Sequence, residues 1–201
     1  MHTKPAITQT PIHTLLQDRW SPRAFDPKRT LNDTDLQALL EAARWSPSCF
    51  NDQPWRFVVF VKEHDENQWQ LALNCLAAKN QLWAQHAPVL VLTVASENFQ
   101  HNGAANRWAS YDTGAASLSL CLQATALGLV THQMGGFDAQ QARALVNLPT
   151  GYTPMAMIAV GYQAEIDTLA EEFKAAEAAE RIRASLEDRF YFGLWGKSEK
   201  G

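Results

Sequence analysis

From Thr113 to Phe137 the chain runs for 25 residues without an aspartate, glutamate, lysine or arginine. A stretch of that length can cross a bilayer. It also carries Ser117, Ser119, Gln123, Thr125, His132 and Gln133, whose polar groups would be costly if isolated in lipid. We therefore read it as a long helix buried in a core or in a dimer interface, over about Ala104 to Leu127, with Gly128 near its end. Any fold open to this chain has to supply a layer that covers such a helix.

The remaining elements follow from local chemistry. Residues 11–20 suit a short helix with Pro11 at its start. Asn32 is a good N-cap, and Leu36, Leu39, Leu40 and Ala43 recur at helical spacing after it. That helix should stop near Trp45, because the residue before Pro47 is disfavoured in helical conformation. WRFVVFVK (55–62) is rich in β-branched and aromatic side chains and predicts a strand. PVLVLTVA (88–95) and PMAMIAVGY (154–162) predict two more. Helices are expected over 66–83, 139–147 and 169–187, the last a solvated charged face, followed by an aromatic tail, RFYFGLWGK (189–197). No linker, repeat or low-complexity tract divides the chain. The expectation is one α+β domain over 1–201, with helices on both sides of a small sheet.

The 201 residues are 46% hydrophobic and 19% charged, a globular balance that excludes wholesale disorder and fibrous repeats. The net charge of −4 argues against general binding of nucleic acid or anionic lipid. It leaves room for a local basic pocket for one small anion. Cys49, Cys75 and Cys121 are odd in number and far apart, which argues against a zinc knuckle or disulfide framework and suits a reducing, cytoplasmic setting. The N-terminus, MHTKPAITQTPIHTLL, has no apolar stretch of signal-peptide length.

Much familiar chemistry is missing. There is no GxGxxG, GxxxxGK[ST], HExxH or GxSxG. His2, His13, His64, His86, His101 and His132 fall into no metal-ligand spacing and read as surface or structural histidines. Cys49 has no neighbouring histidine or helix start to activate it as a nucleophile. Trp20, Trp45, Trp55 and Trp69 read as packing residues, while Trp83, Trp108 and Trp195 are candidates for a cofactor's surroundings or a dimer seam.

Two constellations remain. Arg19-Trp20-Ser21-Pro22-Arg23 places two guanidinium groups and a hydroxyl within five residues at a helix end. The guanidinium fork matches phosphate oxygens and stays charged at any relevant pH. The plain alternative is a solvated helix terminus with cations at its negative end. Ser46-Pro47-Ser48-Cys49-Phe50-Asn51-Asp52-Gln53-Pro54-Trp55 joins a helix to a strand, and can offer amide and hydroxyl groups to a planar heterocycle or serve as a capping turn.

In this order and at this distance, RWSPR (19–23) and PSCFNDQPW (47–55) resemble the motifs of the nitroreductase family of FMN-dependent enzymes. GLVTHQMGGFD (128–138) is similar to the family's third segment, and LWGK (194–197) lies where a basic residue often approaches the phosphate. The resemblance covers nearly the whole chain. It implies a nitroreductase-like α+β fold with a small central mixed sheet flanked by helices, an intertwined homodimer, and FMN at the subunit interface. Arg19, Trp20 and Ser21 are then implied at the FMN phosphate or ribityl chain, and Arg23 beside flavin N1 and the C2 carbonyl. Pro47, Ser48, Cys49 and Asn51 are implied under the isoalloxazine with Gln53 supporting them, and Asn80 at the pyrimidine. Gln133, Met134, Gly135 and Gly136 are implied by flavin N5, and Lys197 at the phosphate. Many relatives carry glutamate where this chain has Gly135.

The implied function is hydride transfer from NAD(P)H through FMN to a nitroaromatic, quinone or similar planar acceptor, by a ping-pong scheme with no side-chain nucleophile and no metal. Two alternatives stay open. One is the same fold with a specialised flavin reaction, such as dehalogenation, flavin breakdown or azoline oxidation. The other is a non-catalytic module that binds an anion or flavin.

Overall fold

Val89–Ser96 (β2) is buried at every position, as expected of an unbroken apolar run covered on both faces. Its side chains alternate between two cores. Leu90, Leu92 and Val94 pack on one side, with Trp69, Leu73, Trp83 and Phe173; Val89 and Val91 pack on the other, with Leu39, Ala43, Leu120 and Ala124. These contacts belong to a computed structural model that describes residues 4–198, so His2 lies outside the described residues.

In chain order, the remaining elements begin with α1 (Thr14–Asp18), α2 (Asp33–Arg44), β1 (Trp55–Val61), α3 (Glu66–Asn74) and α4 (Ala78–Ala84). After β2 come α5 (Ala109–Ala126), β3 (Val130–Met134), α6 (Ala139–Leu145), β4 (Tyr152–Gly161) and α7 (Glu171–Ala178). Asn32 caps α2 by accepting the Asp35 N–H at 2.8 Å, and Trp45 closes that helix. The four strands lie in the order β1-β2-β4-β3, with α2 and α5 over one face and α3, α4, α6 and α7 toward the other.

The helix-flanked α+β class stands, but the sheet is not mixed: every pairing among the described residues is antiparallel. The topology supplies the reason. Two helices, α3 and α4, separate β1 from β2, so the chain re-enters the sheet reversed. β2 and β3 are both antiparallel to β4 and so point the same way, but β4 lies between them and no parallel pair forms. Pro154 has no N–H for the ladder, and opposite it the register shifts between Thr93 and Val94. The Thr93 hydroxyl accepts the Ala156 N–H and donates to the Ala156 carbonyl, both at 3.1 Å.

Three helices and one strand also differ from the sequence reading. The helix expected over 66–83 breaks at 75–77, because those residues bond instead to 136–138: Ala77 N–H donates to Gly136 O at 2.9 Å and Asp138 N–H to Cys75 O at 2.7 Å. The central helix starts at Ala109, since Ala104 and Asn106 bond back to Phe99 and Glu97. Its uncharged sequence continues as β3, a strand too short to register in the pattern. The helix expected over 169–187 stops at Ala178, where Ala179 turns extended.

Helix α5 buries one side and exposes the other. Asp112, Ala116, Leu120, Cys121 and Ala124 are buried, while Tyr111, Gly114 and Leu118 face outward, Tyr111 at 80% exposure. No helix among the described residues is long and apolar enough to cross a membrane.

Candidate functional site

The RWSPR segment begins where α1 stops. Arg19 caps that helix in extended conformation, and its Nη1 lies 3.5 Å from Ser21 Oγ. Beneath the next residue, His132 on β3 donates from Nδ1 to the Pro22 carbonyl at 2.9 Å, its ring 4.5 Å from that of Trp83. Burial holds the His132 pKa down at about 4; the charge of Arg23 pushes the same way, and the bond to Pro22 opposes it. The imidazole is therefore neutral at pH 7 and keeps a proton on Nδ1.

A buried carboxylate grips the segment from the other side. Glu177 Oε1 and Oε2 each accept the Arg23 N–H at 3.0 Å, and Oε1 accepts the Ala24 N–H at 3.2 Å. Lys4 donates to the Glu177 main-chain carbonyl at 2.7 Å and sits over the Trp20 ring at 4.7 Å. Arg181 donates to Lys4 O at 3.0 Å and to Gln17 O at 2.6 Å. Burial lowers the Lys4 pKa, which Glu177 raises and the Arg181 and Arg23 charges lower further. Burial lowers the Arg181 pKa as well, followed by the charges of Arg19 and Arg183. Five cations thus crowd one corner of an acidic chain, with Glu177 and Asp18 as the opposing charges those shifts register. Such crowding favours a multiply charged anion with oxygens to share among forked donors.

Gly135 and Gly136 follow β3, the strand that carries His132. The break between α3 and α4 exists to hold this turn. Besides the Ala77 bond, Asn80 Nδ2 donates to Gly136 O at 3.1 Å. A Cβ on Gly136 would stand 3.0 Å from Asn80 Nδ2, so a larger residue would displace it; at Gly135 the space is open. Gln133 donates to Cys121 Sγ at 3.4 Å, and that thiol's pKa is raised by burial against the pull of Thr131, Gln133 and the Arg19 charge. Met134 presents no side chain to the corner: it is buried in the core, because strand alternation turns it inward.

The 47–53 loop forms the second half. Phe50, Asn51 and Gln53 all adopt left-handed backbone, φ 54°, 54° and 51°, a conformation that costs side chains roughly 1 kcal/mol or more each. Several bonds hold it there. Gln53 N–H donates to Ser48 Oγ at 3.0 Å, Gln53 Nε2 to Asn51 O at 2.9 Å, and Cys49 N–H to the buried Asp112 carboxylate at 3.0 Å. Asp52, also buried, accepts the Gln100 N–H at 2.8 Å. Phe50 stands 77% exposed over Phe99 and His101, beside an open cleft of about 760 Å³ that Arg56 and Gln100 also line.

Within one chain these halves do not meet. Asp112, which holds Cys49, and Cys121, near Arg19, mark opposite edges of the buried side of α5. They are about half a turn apart around the axis and about 14 Å along it. Pro47, Ser48, Cys49, Asn51 and Gln53 gather at one edge; Arg19, Trp20, Ser21, Arg23 and Gln133 gather at the other, with Asn80, Gly135 and Gly136 joined in the turn after β3. Lys197 stays in the tail, its main chain bonded to Phe192 and Leu194. Trp83 is core, whereas Trp195 is 92% exposed. Sequence reading missed Lys4, Arg181 and above all Glu177. Its one visible signal is position: Leu169, Phe173 and Glu177 recur every four residues, and the first two are apolar.

The His132 shift has a definite sign. Its folded pKa of about 4 lies below the ordinary 6.5, so the unfolded chain binds the extra proton first. Its share of stability is complete above about pH 6.5 and is lost as pH falls toward 4. Urea denaturation across that range should show stability falling with pH more steeply for wild type than for His132→Asn, whose amide can still donate to Pro22. Superimposable slopes would assign the acid sensitivity to other groups.

Comparison with known proteins places this architecture. The model of the Nitroreductase family matches residues 16–162. Protein DrgA of Synechocystis is 30% identical over 174 residues, covering 75% of this chain and 83% of that protein. The major NAD(P)H-flavin oxidoreductase of Aliivibrio fischeri is 43% identical over 57 residues, 28% of this chain and 26% of its own length. The crystal structure of an oxidoreductase containing FMN superposes with a TM-score of 0.88 at 31% identity, over 98% of this chain and 99% of that one. With most of its length matched by the family model, and its fold shared almost end to end with a solved relative, the chain belongs to the nitroreductase family.

Proposed function

We propose that the chain is an FMN-dependent oxidoreductase that takes hydride from NAD(P)H and delivers it to a nitroaromatic, quinone or similar planar acceptor. The observation that carries this reading is the corner where Lys4, Arg19, Arg23 and Arg181 crowd together, joined through the His132–Pro22 bond to β3, the strand that runs into the Gly135–Gly136 turn. Bound FMN would supply the reversible hydride chemistry. The chain's own work is to bind, orient and shield.

In this reading Arg19, Ser21 and Arg181 hold the phosphate and ribityl chain. Arg181 takes the part that the resemblance assigns to Lys197, because it lies within the cationic corner. Arg23 faces N1 and the C2 carbonyl, where a fixed cation lowers the energy of the reduced ring. Asn80 fixes Gly136, so that small backbone lies by N5 and leaves room for a second planar molecule to stack. Stacking brings donor and acceptor atoms to about 3–3.5 Å without a dedicated dinucleotide fold. The aromatic shelf of Phe50, Phe99 and His101 beside the open cleft suits such planar partners. The three free thiols suit a reducing, cytoplasmic setting.

The separation of the two halves by α5 supports a homodimer. The outward stripe of Tyr111, Gly114 and Leu118 is apolar or small, and the space around Gly114 is open enough for another helix to approach. Two copies joined along α5 would bring the 47–53 loop of one to the cationic corner of the other, and complete a pocket that neither contains alone.

Three measurements test this. Protein purified or reconstituted with FMN should be yellow and oxidise NAD(P)H with parallel double-reciprocal lines against a quinone; intersecting lines would refute the ping-pong scheme. Arg23→Ala should lower the flavin reduction potential, and an unchanged or higher value removes Arg23 from that place. Light scattering after size exclusion should give twice the chain mass of 22.4 kDa at micromolar concentration, whereas the single-chain mass would refute the dimer.

A further inference from the structure

We propose that Glu177 is a positioning residue for the cationic corner. Its carboxylate holds the main chain of Arg23 in place. Its charge, beside Lys4 and the Arg23 main chain, keeps the reduction potential of a flavin bound beside Arg23 lower than the cations of the corner alone would set it. The proposal rests on the flavin reading above.

The position is an expensive one for a carboxylate. Glu177 is 1% exposed, on the face of α7 that also buries Phe173. Removing an ion from water costs several kcal/mol, and an apolar residue of similar volume often serves stability as well or better. What a leucine here could not do is accept two adjacent N–H groups. The neighbouring main chain is pinned from the opposite direction, since Ala164 N–H donates to Ala24 O at 2.9 Å and Phe25 bridges to Gln163. Glu177 supplies the other half of that clamp. Residues 23–25 are thereby held on two sides, which sets where the Arg23 side chain leaves the backbone.

The segment that leaves this helix ties down the rest of the corner. The Glu177 carbonyl receives Lys4, and four residues later Arg181 reaches Lys4 O and Gln17 O, two residues before Arg19. One buried carboxylate therefore sits beside Lys4 and against the main chain of Arg23, with Arg181 bonded to Lys4. Interactions between charges strengthen as water is excluded. Cations beside the ring favour the reduced, more negative flavin, and a carboxylate among them opposes that effect. The chain thus gathers cations for anion binding while limiting how far they raise the potential.

The charge and the clamp separate experimentally. Glu177→Gln removes the charge, but an amide oxygen in the Oε1 position can still accept both N–H groups. With FMN bound, spectroelectrochemistry should give a higher midpoint potential for this variant, while hydrogen exchange of the Arg23 and Ala24 amides in the flavin-free protein stays close to wild type. Glu177→Ala removes both roles: exchange at Arg23 and Ala24 should speed up about tenfold or more, and FMN should bind about tenfold more weakly. If the alanine variant is insoluble, Glu177→Asp tests the clamp, because its charge remains while the carboxylate is withdrawn by one methylene. Exchange should then rise with the potential near wild type. An unchanged or lower potential in Glu177→Gln overturns the charge role. Unchanged exchange in Glu177→Ala, or in Glu177→Asp where that variant stands in, overturns the positioning role. If wild-type protein takes up no FMN at all, the flavin reading fails, and the exchange measurement still judges the clamp.

Discussion

The packing of one helix, charged only at Asp112 in its first turn, against the sheet organises everything else in this molecule. α5 packs on β1, β2 and β3, burying Ala116, Leu120, Cys121 and Ala124 in one core with Val89, Val91, Ile158 and Val160, and α2 closes over it. Because only one side of α5 is buried, its edges become anchor points. Asp112 at one edge receives Cys49, and Cys121 at the other receives Gln133 near Arg19. A helix with unpaired charges along this side could not be buried this way, and the two halves of the proposed pocket would lose their common reference.

Around that frame, polar groups are used sparingly and for position. Asp112, Asp52 and Glu177 are buried acids, and each accepts main-chain N–H groups from a segment that carries site residues. His132 does the converse, donating to the Pro22 carbonyl. A side chain that bonds to backbone fixes direction better than one that bonds to another flexible side chain. The loop's left-handed residues show the cost of such fixing: Phe50 and Gln53 hold conformations that free peptides avoid, and the bonds from Ser48, Asp52 and Asp112 hold them there.

The cationic corner illustrates the difference between a motif and a site. RWSPR contributes two of its guanidinium groups from five adjacent residues. Lys4 and Arg181 come from the two ends of the described chain and meet only because Arg181 bonds to the carbonyls of Lys4 and Gln17. No local pattern marks either of them. Glu177 is still less visible, because a glutamate in a charged stretch reads as solvated unless its helical phase is set beside the apolar positions before it.

From its residues alone the chain determined its class: a 25-residue run without charge that had to be covered, strands of β-branched residues to cover it, and two short motifs whose types and order resemble one family. Those features are local, and composition and periodicity report them directly. Tertiary structure decided what depends on residues far apart in sequence. It broke the 66–83 helix, because 75–77 gain more from bonding to 136–138 than from one more helical turn. It made the sheet wholly antiparallel by inserting β4 between β2 and β3. It also placed the two motifs on opposite edges of α5, a separation that follows from helix phase and packing.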